Sequence, residues 1–152
     1  MQGATQRAIG NRGNAMSLRI LILDDEPLVR LGIRLLMEQH KGWAVCGEAQ
    51  NGEEAVEKAA ALDPNLVLLD VSMPRMNGLT AAPLIHKQVP QAMIVILTLH
   101  DSAEMARQAS RVGADAFVSK ALVATDLAPT IEALQAAGPA GNNSPGGASD
   151  AA

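Results

Sequence analysis

A single cysteine, Cys46, stands among the 152 residues, which excludes an intramolecular disulfide. Its place in an apolar, strand-like run reads as a buried, inert thiol, and a reducing cytoplasm is the simplest compartment for it. Positive charge is scarce and scattered: 12 Lys and Arg face 16 Asp and Glu, for a net charge of −4. Gripping a nucleic-acid backbone needs clustered Lys and Arg, so no nucleic-acid binding is expected of this chain. No apolar run approaches the roughly 18 to 20 residues of a membrane span, and residues 1–17 lack the apolar stretch of a signal peptide. No membrane contact is expected. Aromatic side chains number two, Trp43 and Phe117. Trp43 reads as an anchor at a strand start, and removing Phe117 would report on one ring alone. His40, His86 and His100 show no zinc-type spacing with Cys46, which argues against zinc.

What is present suits one domain, since 48% of the residues are hydrophobic. Residues 1–17 and 138–152 are polar or small and carry glycine or proline. They read as a disordered N-terminal extension and a disordered tail or linker, with Met16 an alternative start. The folded unit is therefore 18–137. Strand-length apolar runs recur at Leu18 to Leu23, Trp43 to Gly47, Leu66 to Leu69, Met93 to Leu97 and Ala116 to Ser119. Helical patterns lie between them. Pro27 to Gln39 puts Leu28, Leu31, Leu35 and Leu36 on one face, and Gly52 to Ala61 does so with Ala55, Val56, Ala59 and Ala60. Asn51 and Glu54 resemble a capping box, Asp101 or Ser102 would cap a helix that Gly113 ends, and Thr125 would cap the last helix over about Asp126 to Ala136. Pro83 inside the pattern Gly78 to Val89 predicts a kink or a late helix start. Alternation of doubly apolar strands with helices predicts an α/β domain, a doubly wound parallel sheet covered on both faces.

In such sheets ligands bind outside the carboxyl ends of the strands. The residues that close the runs are Asp24 and Asp25, Asp70, Thr98 and Lys120. Asp70 is expected to face solvent. Three carboxylates at one edge repel by roughly 3 kcal/mol per pair at about 5 Å and an effective dielectric near 20. A divalent cation removes that penalty, and Mg2+ fits best, because it prefers carboxylate and water oxygens and leaves positions for phosphate oxygens. A carboxylate attacking phosphorus also needs a positive charge and a hydroxyl donor, which Lys120 and Thr98 supply.

Asp24-Asp25, Asp70 with Met73-Pro74 and Asn77-Gly78, Thr98, and the run Gly113-Ala114-Asp115-Ala116-Phe117-Val118-Ser119-Lys120 together resemble the receiver domain of two-component response regulators. The resemblance covers essentially all of 18–137. It implies a five-stranded flavodoxin-like fold and phosphorylation of Asp70 by a histidine kinase or phosphotransfer protein. Metal ligands would be Asp24, Asp25, Asp70 and the carbonyl of Ser72. Thr98 and Lys120 would bind the phosphoryl group, and Thr98 with Phe117 would form the switch pair. Such a chain is a phosphoacceptor that assists its own phosphorylation and dephosphorylation, not an enzyme acting on other substrates.

The family usually has proline after the lysine, joined by a cis bond, where this chain has Ala121. Either the site carries a strained cis bond or the loop is rearranged. Ser72 and His100 would tune the lifetime of the phosphoryl group, and Met73 and Met76 would offer flexible contact surface to a kinase helix. The small-residue stretch over 102–136 offers a face for a second copy or an effector. No helix-turn-helix pattern follows Ala137, so the reading is a receiver standing alone or excised from a longer DNA-binding regulator. An aspartate-based phosphatase is the chief rival, but it would want a second Asp where this chain has Ser72. A flavin binder would need a hydroxyl and glycine loop where Asp24-Asp25-Glu26-Pro27 stands.

Overall fold

A computed structural model describes residues 17–72, 77–99 and 102–137. His100, Asp101, Met73, Met76 and the two termini, for which expectations were set out above, lie outside the described residues. The elements alternate as expected: β1 (Leu18–Leu23), α1 (Pro27–Glu38), β2 (Trp43–Ala49), α2 (Gly52–Leu62), β3 (Leu66–Asp70), α3 (Gly78–Gln88), β4 (Met93–Thr98), α4 (Ala103–Arg111), β5 (Ala116–Ser119) and α5 (Ala128–Ala137). The five strands form one parallel sheet in the order β2-β1-β3-β4-β5. The order reverses between β1 and β3, which places a topological switch point at the carboxyl ends of those two strands.

Strand alternation divides the core. Leu21, Leu23, Val67, Leu69, Ile94 and Ile96 pack with α2, α3 and α4 on one side. Ile20, Ile22, Leu66, Leu68, Val95 and Val118 pack with α1 and α5 on the other. β1, β3 and β4 are apolar on both faces because helices cover both.

Local signals set most helix starts. Pro27 opens α1 at a position where its missing N–H costs nothing. The Asn51 carboxamide accepts the Glu54 N–H at 2.8 Å, and the Glu54 carboxylate reaches back to the Gln50 N–H at 2.8 Å, one residue earlier than in a reciprocal capping box. Ser102 accepts the Met105 N–H at 3.1 Å, and Gly113 leaves α4 with φ +88°.

Three helix expectations need correction. The buried stripe of α1 is Ile33 and Met37, flanked by Val29 and Leu36, while Leu28, Leu31 and Leu35 are exposed. The helix has two apolar stripes on opposite sides, and only one can face the sheet. α3 starts at Gly78, so the late start is overturned, and the helix continues past Pro83. Asn77 caps it by accepting the N–H groups of Leu79 and Thr80, and Pro83 lies on the solvent side, where water can take the freed carbonyl. Thr125 does not cap the last helix. The chain turns helical directly after β5, as a 3-10 turn over Lys120–Leu122 and a π-helical turn over Val123–Leu127, and the Thr125 hydroxyl donates to the Leu122 carbonyl inside that run.

Candidate functional site

β1 and β3 are adjacent central strands, and each ends in a carboxylate. Asp24 follows Leu23, and Asp70 is the last residue of β3, between β1 and β4. Both are fully buried, contrary to the expectation for Asp70, whereas Asp25 is exposed. The burial arises because Asp70 stays within the sheet, where the next residue, Val71, still donates its N–H to Leu97 at 3.1 Å. By strand alternation Asp24 and Asp70 continue the rows of Ile20-Ile22 and Leu66-Leu68, on the α1 and α5 side. Lys120 continues the row of Val118 on that same side.

The Lys120 ammonium lies 2.8 Å from Asp24 Oδ2 and 3.2 Å from Asp70 Oδ2. Residues at the ends of three strands, Lys120 lying 50 positions beyond even the nearer aspartate in sequence, thus meet at one point. The remaining oxygens are held by the backbone: Asp24 Oδ1 accepts the Glu26 N–H at 2.8 Å, and Asp70 Oδ1 accepts the Ser72 N–H at 2.9 Å. Asp24 Oδ2 is held by the Lys120 ammonium alone, with no backbone N–H to it.

The electrostatics follow from this packing. Burial pushes the Asp70 carboxyl above the usual carboxylate range, and the neighbouring Asp24 charge adds to the rise against the opposing pull of the Ser72 N–H and Lys120. Burial alone would lower Lys120, but its contacts with Asp24 and Asp70 together outweigh that and raise it, so it is firmly protonated. One ammonium against Asp24, Asp25 and Asp70 leaves negative charge in excess. Ligand oxygens of the three aspartates lie within 4.8 Å of one another, close enough to share one cation. All-oxygen donors, two of them on buried carboxylates, fit a hard divalent ion such as Mg2+.

Thr98 is buried at the end of β4, in register with Ser119, and Phe117 is half-buried opposite Ile96. Alternation puts Thr98 and Phe117 on the α4 side of the sheet, the face opposite the aspartate rows. Ser72 is exposed. No peptide bond of the described residues is cis, so Lys120 and Ala121 are joined in trans and the loop takes the rearranged course. Ser119 Oγ accepts the Ala121 N–H at 3.2 Å, and the lysine still reaches both carboxylates.

Two contributors escaped sequence reasoning. Gly78 abuts the end of β3 so closely that a Cβ there would lie 2.8 Å from Leu69 Cβ and 2.9 Å from the Asp70 carbonyl oxygen. The Asn77-Gly78 pair stands out in the sequence, but only the tertiary contact shows why a side chain is excluded. Arg30 donates to the Asp24 carbonyl at 2.7 Å and to Glu48 at 3.0 Å. Nothing local links Arg30 to a residue on β2, so no sequence signal marks it.

Comparison with known proteins agrees with this geometry. A family model described as the response regulator receiver domain matches residues 20–132. The nitrate/nitrite response regulator NarL of Escherichia coli K12 is 37% identical over 108 residues, covering 71% of this chain and 50% of NarL. The transcriptional regulatory protein PdtaR of Mycobacterium tuberculosis is 39% identical over 119 residues, covering 78% of this chain and 57% of PdtaR. The chain thus spans about half the length of these curated relatives. Among solved structures, a LuxR-family two-component response regulator from Aurantimonas sp. SI85-9A1 aligns with a TM-score of 0.76 at 33% identity, covering 81% of this chain and 88% of that one. The response regulator domain of Thermotoga maritima CheB aligns at 0.74 and 28% identity, covering 81% and 99%.

Proposed function

The chain belongs to the response regulator receiver family, and on that premise we propose that Asp70 accepts a phosphoryl group from a phosphohistidine and that the modification switches a partner-binding face. The observation that carries this reading is the Lys120 ammonium held between two buried carboxylates from different strands. A carboxylate oxygen of Asp70 attacks phosphorus, the phosphorus–nitrogen bond of the donor breaks, and the imidazole leaves with the electron pair. An acyl phosphate results. Asp24, Asp25 and Asp70, with the Ser72 carbonyl, would hold Mg2+, and the bound ion would neutralise the phosphoryl oxygens. Lys120 and Thr98 take the other oxygens, and burial keeps bulk water from the reacting carboxylate. Movement of Thr98 toward the phosphoryl group vacates space on the α4 side, into which the Phe117 ring turns.

The donor is a histidine kinase or phosphotransfer protein. An apolar stripe supports a docking place for a donor helix: Leu28 of α1 is 81% exposed, with Leu31 and Leu35 on the same side. Beside it lies a groove of about 290 Å3 whose lining includes Val29, Gly32, Leu36, Val123 and Lys120. The face over 102–136 remains the proposed site for an effector or a second copy. Among the described residues no helix is long and apolar enough to cross a membrane, and a cytoplasmic location accords with the proposed donor. A second reading, that this receiver acts within a longer DNA-binding regulator, draws on the half-length match to relatives named transcriptional regulators.

Incubation with acetyl phosphate and Mg2+, followed by intact-mass measurement, tests the reading. The wild-type chain is expected to gain the mass of one phosphoryl group and Asp70→Asn none. No adduct on the wild type would overturn it, and an adduct on both would move the site elsewhere.

A further inference from the structure

The peptide that joins Asp24 to Asp25 is held from one side by a residue that touches neither carboxylate. Arg30, in the first turns of α1, donates from Nη1 to the Asp24 carbonyl at 2.7 Å and from Nε to Glu48 Oε1 at 3.0 Å. Its side chain is only 14% exposed. Glu48 lies on β2 and is itself steadied by Arg34, whose Nη1 sits 2.8 Å from Oε2. On the other side of the same residue, the Asp24 N–H bonds to the Ala49 carbonyl at 3.1 Å.

A peptide group is planar, so fixing the Asp24 carbonyl also fixes the direction in which the chain leaves toward Asp25. Asp25 is the exposed member of the carboxylate set and gains no such restraint from burial. We infer that Arg30 is a positioning residue for the cation site: gripped by Glu48, it orients the Asp24–Asp25 peptide so that both carboxylates converge with Asp70. This rests on the reading that the three aspartates hold Mg2+. The effect is geometric, because a guanidinium near the cluster would by its charge repel a divalent cation. The planar fork of arginine reaches the carbonyl and Glu48 together, and a lysine ammonium at the same position keeps the charge but cannot span both.

Calorimetric titration of the full chain with Mg2+, well below its melting temperature, separates this role from a merely structural one. Arg30→Lys is expected to raise the Mg2+ dissociation constant about tenfold, the low end for groups that orient metal ligands. Arg34→Lys, which alters the hold on Glu48 without touching Asp24, is expected to leave it nearly unchanged. An unchanged constant in Arg30→Lys, or an equal rise in Arg34→Lys, would overturn the inference. Should Arg30→Lys fail to fold, Glu48→Gln replaces it, with a smaller rise expected and no rise counting against the inference. A wild-type chain that takes up no Mg2+ would overturn the metal reading and this inference together, whereas normal wild-type binding with no effect at position 30 overturns the inference alone.

Discussion

Asp70 and Phe117 illustrate how far single residues could be read. The place of Asp70 at the end of an apolar run marked it as chemically significant, but the same logic wrongly made it solvent-facing. Burial within the central strands, which follows from β1 and β4 flanking β3, is what pushes its carboxyl upward, with Lys120 pulling the other way. Phe117 was legible as the only phenylalanine, yet its half-buried position on the face opposite the carboxylates appears only in the register of β5 against β4. Phe117→Ala is expected to cost about 2 kcal/mol, less than a fully buried ring, and to leave phosphorylation of Asp70 by acetyl phosphate intact while weakening the response of a partner. Denaturant melts and intact-mass assays check the two halves, and loss of phosphorylation would count against a switch role.

Helix starts with a side-chain cap were legible where the cap bonds within its own turn, as Asn51 and Ser102 do. The carboxylate of Glu54 shows what such a contact contributes. Its bond to the Gln50 N–H, ahead of the Lys58 ion pair, holds its pKa below the usual range. A depressed carboxylate pKa stabilises the fold above the unfolded-state value and loses that contribution as pH falls through the folded-state value. Glu54→Ala is therefore expected to cost about 0.5 kcal/mol at pH 7, discounted for exposure, and to show a smaller difference from wild type when both are melted near pH 3. The helices misread were those whose outcome depended on a neighbour. The residues of α1 carry two apolar stripes, and hydrophobic spacing alone cannot choose between them. Thr125 does not cap the last helix because helical turning already begins at Lys120, capped by Ser119, and Thr125 falls inside that run.

For the whole molecule, the outward stripe of α1 bears on the proposed docking of a donor. Leu28 and Leu31 are exposed on α1, which starts at the carboxyl edge of the sheet, where the proposed donor would approach Asp70. The double variant Leu28→Glu with Leu31→Glu is expected to slow transfer from a phosphohistidine protein about tenfold or more, the scale of losing one well-packed apolar anchor, with transfer from acetyl phosphate unchanged. Parallel time courses with the two donors would reveal it, and equal slowing with both would point to damage at the site. The alternation of apolar runs and helical patterns determined the fold class by itself, because a doubly apolar strand needs helices on both faces. It also determined which residue types close the strands, and thus that phosphate and metal chemistry was on offer. Only the tertiary structure decided that Asp24 and Asp70 are buried, that Lys120 bridges them, that Arg30 grips the peptide beside them, and which side of α1 faces out. Those are contacts between residues many positions apart, and a local pattern carries no record of which distant partner the folded chain will bring to it.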